Sequence, residues 1–162
     1  MQAGGSIDNG RMHISAKSDY AVRALLALAA RFPRQARVEE LAAEQELPRK
    51  YLEAILGDLR RGGLVRSHRG AVGGFVLARD PSQITVGQIL RAVDGPLAEV
   101  RGLRPDETAY SGVARHLPQV WVAARAALRD VLDEVSLAGL LTGSLPAHVL
   151  KLASRSDAWA PR

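Results

Sequence analysis

The stretch Leu47–Leu77, LPRKYLEAILGDLRRGGLVRSHRGAVGGFVL, constrains this chain more than any other. Leu52, Ile55, Leu56 and Leu59 follow the i, i+3, i+4, i+7 spacing of a helix with one apolar stripe, and its opposite face is polar and mostly basic. Arg60 and Arg61 stand where the helix dipole is negative, and Gly62-Gly63 follows, where a glycine is free to take the left-handed closing conformation. Leu64, Val65 and Ser67 then suggest a short strand, Arg69–Gly74 a turn, and Phe75, Val76 and Leu77 the returning strand. Between Pro48 and Arg79, the bases Arg49, Lys50, Arg60, Arg61, Arg66, Arg69 and Arg79 are set against only Glu53 and Asp58. A basic helix and hairpin by themselves describe an anion-binding surface.

The residues before it turn that surface into a motif. Glu39 to about Gln45 reads as a short helix with Leu41 and Ala42 inward and Glu39 and Glu40 in its first turn, but without a Ser, Thr, Asp or Asn cap. Glu46, Leu47 and Pro48 make the turn, proline being tolerated at a first helical position. Two short helices so joined form a helix-turn-helix whose second helix enters a major groove, and the hairpin behind it is a wing. Upstream, Ser18 and Asp19 are candidate caps for a helix reaching about Phe32 and stopped by Pro33. Lys17 and the free amides at that helix start could grip a phosphate. A solvated lysine is the equally simple alternative.

Downstream, Thr85 caps a helix with Val86, Ile89, Leu90 and Val93 on one face, ended by Gly95-Pro96. Periodicity then fades to His116, which reads as a long loop. From Leu117 a helix carries Leu117, Trp121, Ala124, Leu128, Val131 and Val135 at spacings of 4, 3, 4, 3 and 4, a heptad seam. Val120, Val122, Ala127 and Leu132 add apolar surface beyond it, so the helix is read as facing both its own domain and a twin helix, making a homodimer. Leu137–Leu141 continue the apolar character through a break near Gly139. The fold class is mainly α with a small β-hairpin wing. The chain divides into an extension over 1–11, a winged helix-turn-helix domain over 12–95, a loop over 96–116, a dimerisation helix region over 117–153 and a frayed tail over 154–162.

The 162 residues suit one domain with an appended dimerisation element. A formal charge of +5 favours an anionic partner. The chain has no cysteine, which removes disulfides, thiolate catalysis, cysteine-ligated zinc and ordinary iron-sulfur ligation together, and a cytoplasmic protein is the simplest reading. The longest nearly apolar run, Ala21–Ala30, contains Arg23 and is about half the roughly 20 residues of a membrane span. His13, His68, His116 and His148 are scattered without ligand spacing, so no metal site is expected. Gly70, Gly73 and Gly74 do not precede a helix, which makes a tight turn the better reading than a phosphate loop. No catalytic constellation appears, and the chain is not read as an enzyme.

SAKSDYAVRALLALA, the helix-turn-helix ELAAEQELPRKYLEAILGDLRRGGLVRSHRG and the wing segment AVGGFVLARDPSQITVGQILRAVDGP resemble the Rrf-two family (IscR/NsrR/CymR-like) of bacterial winged-helix regulators. The resemblance runs from Met12 to about Leu141 and is most specific in YLE-x-IL-x-x-L-R-x-x-GLV-x-S-x-RG-x-x-GG. It implies homodimers on palindromic double-stranded operators, the second helix in the major groove and the wing against the minor groove. It also implies base contacts by Lys50, Glu53 and Ala54 with Arg49 and Tyr51 close by, and a wing contact by Arg69. Arg60 and Gly70, at the helix end and the wing tip, belong to the same DNA-binding set.

Many members carry three cysteines between the fourth helix and the long helix and hold an iron-sulfur cluster there. This chain has VRGLRPDETAYSGVARH instead, so no cofactor is expected, and the arrangement points to control by a small ligand or a protein partner, or to a repressor with no switch of its own. Tyr110 and Trp121 are candidates for an effector pocket, against a plain core role for the tryptophan. The rival to a DNA-binding repressor is a winged-helix module that docks on an acidic protein and has only non-specific DNA affinity. On the chemistry alone, Arg69 suits the negative potential of a narrow minor groove, Lys50 the guanine O6/N7 edge and Glu53 the cytosine amino group. Each would otherwise be a solvated charge.

Overall fold

A computed structural model describes residues 14–161; the extension read over 1–11, with Met12 and His13, lies outside them. The first helix, α1 (Ala16–Ala29), starts three to four residues earlier than the sequence suggests. Ser15 is its cap, in an extended conformation with Oγ accepting from the Ser18 amide at 2.9 Å. Ser18 is buried instead, and its hydroxyl donates to Asp94 at 2.7 Å. The helix also closes before Phe32: the Arg31 and Phe32 amides bond three residues back, to Leu28 and Ala29, in a tightened turn leading into Pro33.

Helix α2 (Val38–Gln45) lacks a small polar cap, as expected, and the Glu40 carboxylate supplies a partner by accepting from the Arg37 amide at 2.9 Å. Glu46 turns the chain in a left-handed conformation (φ 53°), and Pro48 stands at the cap of α3 (Arg49–Arg61) rather than inside it. Leu52, Ile55, Leu56 and Leu59 are all buried, so the apolar stripe read from the sequence is the face α3 turns to the core. Gly62 permits close approach to the later helix that carries Ala92, since a Cβ at Gly62 would lie 2.9 Å from that of Ala92. Gly63 takes the positive φ that ends the helix.

Strands β1 (Val65–His68) and β2 (Gly74–Leu77) pair antiparallel, with Val65 opposite Leu77 and Ser67 opposite Phe75. Ala36 pairs with the other edge of β2, exchanging two backbone hydrogen bonds with Phe75 at 2.8 and 2.9 Å. The wing is therefore held from both sides. A three-residue helical turn, Pro81–Gln83, leads to α4 (Val86–Asp94), where Thr85 Oγ1 accepts from the Gln88 amide and Gln88 accepts from that of Thr85.

The segment over 96–116 contains two short helical turns, Pro105–Glu107 and Gly112–Ala114. Helix α5 (Leu117–Leu132) follows, and none of its side chains is fully buried. The seam read from the sequence is shorter than expected: α5 ends at Leu132, so Val135 is not on it. The chain instead returns to the winged core. The Val86 amide donates to the Val135 carbonyl and the Leu137 amide to that of Ile84, both at 2.9 Å, and Val135 and Leu137 are buried. Ser136 caps α6 (Leu137–Thr142), which packs on α1. Gly139 lies within α6, so the expected break falls at Gly143 (φ 72°) instead.

A last helix, α7 (Ala147–Ala153), precedes a turn at Ser156–Ala158. The tail expected to fray folds back, the Trp159 indole donating to the Ala153 carbonyl at 2.5 Å. The core joins α1, α2, α3, α4, the base of the hairpin and the start of α6. Apolar burial at roughly 25 cal/mol per Å² is the main force holding them together.

Candidate nucleic-acid interface

With its stripe turned inward, α3 exposes Arg49, Lys50, Tyr51, Glu53 and Ala54 on one side. Arg49 lies between two carboxylates, 2.8 Å from Glu39 and 2.9 Å from Glu53, so α2 and α3 share one surface network. Its charge is compensated. Lys50 and Arg69 have no ion-pair partner among the described residues. Tyr51 meets Tyr20 of α1 edge-on with ring centroids 5.7 Å apart, and the Arg23 guanidinium lies over the Tyr20 ring at 5.7 Å. That arrangement anchors the start of α3 against α1.

The Arg60 guanidinium donates to Ser67 Oγ at 3.2 Å, linking the end of α3 to β1. Arg66 donates to the Ala78 carbonyl at 2.7 Å. At the wing tip Gly70 has φ 110°, and its carbonyl accepts from the Gly73 amide at 2.9 Å, which presents Arg69 at the turn. Gln35 and Arg37, ahead of α2, donate to the Val72 and Ala71 carbonyls. These two residues escaped the sequence reading because they belong to no periodic element. Together with Ala36 they fix the wing's position relative to α2 and α3.

Lys17 has a different place from the one expected. Its ammonium is 2.6 Å from the Asp58 carboxylate and 2.7 Å from the Val93 carbonyl, so it joins α1 to α3 and α4 rather than standing free for phosphate. The hydrogen bond from Lys17 holds the Asp58 carboxyl below its ordinary value, burial opposes this, and Arg61 reinforces it. A carboxylate whose folded pKa lies below the unfolded value, about 3.9, contributes stability that is present above that value and lost as pH falls through the folded pKa. Asp58→Asn should therefore flatten part of the acid limb of a melting-temperature profile below about pH 4 and leave its shape above pH 5 unchanged. Superimposable acid limbs in the two proteins would show that the Lys17–Asp58 pair carries none of that dependence.

On α5, Leu117, Trp121, Ala124, Leu128 and Val131 are half-buried, while Val120 and Val122 on other faces are exposed. The apolar face is incompletely covered within one chain. Tyr110 is stacked under Arg101, whose guanidinium lies 5.5 Å from the ring centroid, and the Trp121 indole N–H is buried without a partner. Neither lines the clefts beside α4. Among the described residues no helix is long and apolar enough to cross a membrane.

A winged helix-turn-helix of this build matches known proteins along most of its length. The family model Rrf2, described as an iron-dependent transcriptional regulator, matches residues 14–143. The chain belongs to the Rrf2 family. Rv1287 of Mycobacterium tuberculosis, which carries a helix-turn-helix regulator's name, is 46% identical over 143 residues, covering 88% of this chain and 89% of that one. The HTH-type transcriptional regulator CymR of Bacillus subtilis is 35% identical over 130 residues, 80% of this chain and 89% of CymR. The solved structure of CymR, titled the global cysteine regulator of B. subtilis, superposes with a TM-score of 0.68 at 32% identity, covering 81% of this chain and 97% of that one.

Rrf2 members are DNA-binding transcriptional regulators rather than enzymes, and the winged helix-turn-helix reading stands. The iron in the family's description finds no thiolate here, because the chain has no cysteine. Among the described residues no three His, Asp or Glu side chains converge as metal ligands. Within the segment over 96–116, Asp106 is taken up by Arg104 and Arg125 at 2.5 and 2.7 Å. The residues present do not fit a thiolate-held iron cluster.

Proposed function

We propose that this Rrf2 protein is a homodimeric, sequence-specific repressor that binds palindromic double-stranded DNA in the cytoplasm, without an iron-sulfur cluster, under control of a small ligand or protein partner. The observation that carries this reading is the open face of α3, with Lys50, Glu53 and Ala54 beside a wing tip that presents Arg69. Lys50 suits guanine O6 and N7, Glu53 the cytosine amino group, and Arg69 a narrow minor groove. Arg60, Tyr51 and Gly70 flank them. Arg49, already compensated by Glu39 and Glu53, serves to orient Glu53 as much as to attract phosphate. The uncovered apolar face of α5, Leu117 to Val131, supports a dimer whose two reading heads address half-sites about 10 bp apart.

Binding to the promoter upstream of the protein's own gene should fall steeply with salt, because each phosphate contact releases counterions. At about 150 mM salt a shuffled sequence should compete far less well than the dyad. Equal competition would remove the claim of specificity and leave a protein-docking module as the better account. Arg69→Ala should weaken binding to the dyad. Glu53→Ala should relax base preference, a contact of this kind being worth about 1–3 kcal/mol of discrimination. If Glu53→Ala instead raises affinity equally for every sequence, Glu53 acts only by restraining Arg49.

A further inference from the structure

The segment that lacks cysteines brings an arginine to a cleft. Between the end of α4, the residues after it and α5 lies an opening of about 430 Å³ lined by Arg91, Arg104, Arg125, Arg129 and Asp133, with Pro96, Leu97 and Ala98 as its apolar wall. Two carboxylates bridge the four guanidiniums. Asp133 meets Arg91 at 2.6 Å and Arg129 at 3.3 Å through separate oxygens, whereas Asp106 takes Arg104 on both oxygens, at 2.5 and 3.2 Å, and Arg125 at 2.7 Å on one of them. The four guanidiniums outnumber the two bridging aspartates, with the Glu107 carboxylate adding a weaker negative charge beside Arg104. Glu107 does not line the cleft, and its carboxylate is drawn to the Arg104 amide at 3.1 Å.

Both carboxylates are held ionised. The Arg104 hydrogen bond chiefly lowers Asp106 to about 2, and at Asp133 burial pushes upward but Arg91 and Arg129 outweigh it. The aspartates therefore act as struts between arginines. Each guanidinium has five N–H donors in a planar fork, and the aspartates occupy only a part of them. Forked donors in excess, an apolar wall and a volume within the usual range for small-molecule sites match one chemistry: a compact organic molecule with two or more anionic groups, carboxylate or phosphate.

We propose that this cleft is the binding site for a small organic polyanion that controls the regulator. The control, though not the binding, rests on the DNA-binding function proposed above. Arg91 belongs to the winged core, Arg125 and Arg129 to α5, and Arg104 to the segment between. A ligand bridging them ties the reading head to the helix that carries the second copy. Such a ligand shifts DNA affinity only by its differential affinity for the two arrangements it couples.

The test uses the full chain and citrate as probe at constant ionic strength, with melting temperature as the readout. The expected result is a saturable rise. Its midpoint should move to higher citrate by on the order of tenfold or more in Arg125→Gln and in Arg104→Ala, since each removes a charge-assisted hydrogen bond. Arg69→Ala, on the distant wing, should keep the wild-type midpoint. A rise that saturates with neither citrate nor inorganic phosphate, or one with the same midpoint in the cleft variants, overturns the proposal. If Arg125→Gln does not fold, Arg104→Ala decides, because its side chain is mostly exposed. Replacing citrate by inorganic phosphate distinguishes the ligand's anionic groups: saturation by citrate alone points to a polycarboxylate, by phosphate alone to a phosphorylated ligand. Mobility shifts on the operator, run separately with and without citrate, keep the outcomes apart. Saturable citrate binding in a protein with no specific operator leaves the cleft standing and removes the regulator.

Discussion

Leu56→Ala should cost about 2–5 kcal/mol, a large part of the roughly 5–15 kcal/mol that holds a domain folded. Leu56 is fully buried on the core face of α3, and its loss leaves a cavity where α1, α2, α3 and α4 share one core. The transfer free energy of the lost methyl groups and the unfilled space add together. Urea denaturation followed by circular dichroism would show a midpoint shifted strongly to lower urea with little change in slope. A shift worth less than about 1 kcal/mol would mean that α3 is not anchored by this stripe, and its outer face could not then be a rigid reading surface. Tyr51→Ala on the exposed side of the same helix provides the contrast, with a smaller effect on stability.

Gly74→Ala should displace the wing. A Cβ at Gly74 would sit 2.5 Å from the Ala36 carbonyl oxygen and 2.8 Å from its carbon, and backbone cannot rotate away as a side chain can. Strand β2 must then leave its outer rung, giving up the two Ala36–Phe75 hydrogen bonds, worth together about 1–3 kcal/mol. The Gln35 and Arg37 contacts to the tip would go with them. DNA affinity should fall more than this stability loss accounts for, because Arg69 moves relative to α3. Gly70→Ala meets no atom within 4 Å and acts only through its positive φ, so its effect on the wing's position should be smaller. Melting temperature and operator affinity both unchanged in Gly74→Ala would show that the Ala36 rung does not position the wing.

These expectations separate what could be read along the chain from what could not. The stripe on α3, the hairpin and the Thr85 cap are patterns within a few residues of one another, and the lack of thiolates is a matter of composition. Elements that close on themselves leave such marks. Helix α1 begins three to four residues before the caps its sequence offers, Ser18 and Asp19, because Ser15 Oγ accepts from the Ser18 amide while Asp94, distant in sequence, accepts from both serine hydroxyls. The heptad spacing runs past the end of α5 because Val135 keeps it by coincidence, while its carbonyl accepts from the Val86 amide. Periodicity counts residues and does not see where hydrogen bonds end a helix.

By itself the sequence determined the winged helix-turn-helix, the face of α3 that is exposed and the absence of any thiolate site, since hydrophobic period, caps and residue chemistry are local properties. Tertiary structure alone decided that Lys17 pairs inward with Asp58, that Ala36 completes the wing, and that Arg91, Arg104, Arg125 and Arg129 meet around two aspartates. The physical reason is common to all three. The contacts Lys17–Asp58, Ala36–Phe75, Arg91–Asp133 and Arg125–Asp106 join charges or strand edges from segments far apart in the chain, and only the packing of the fold brings them within reach.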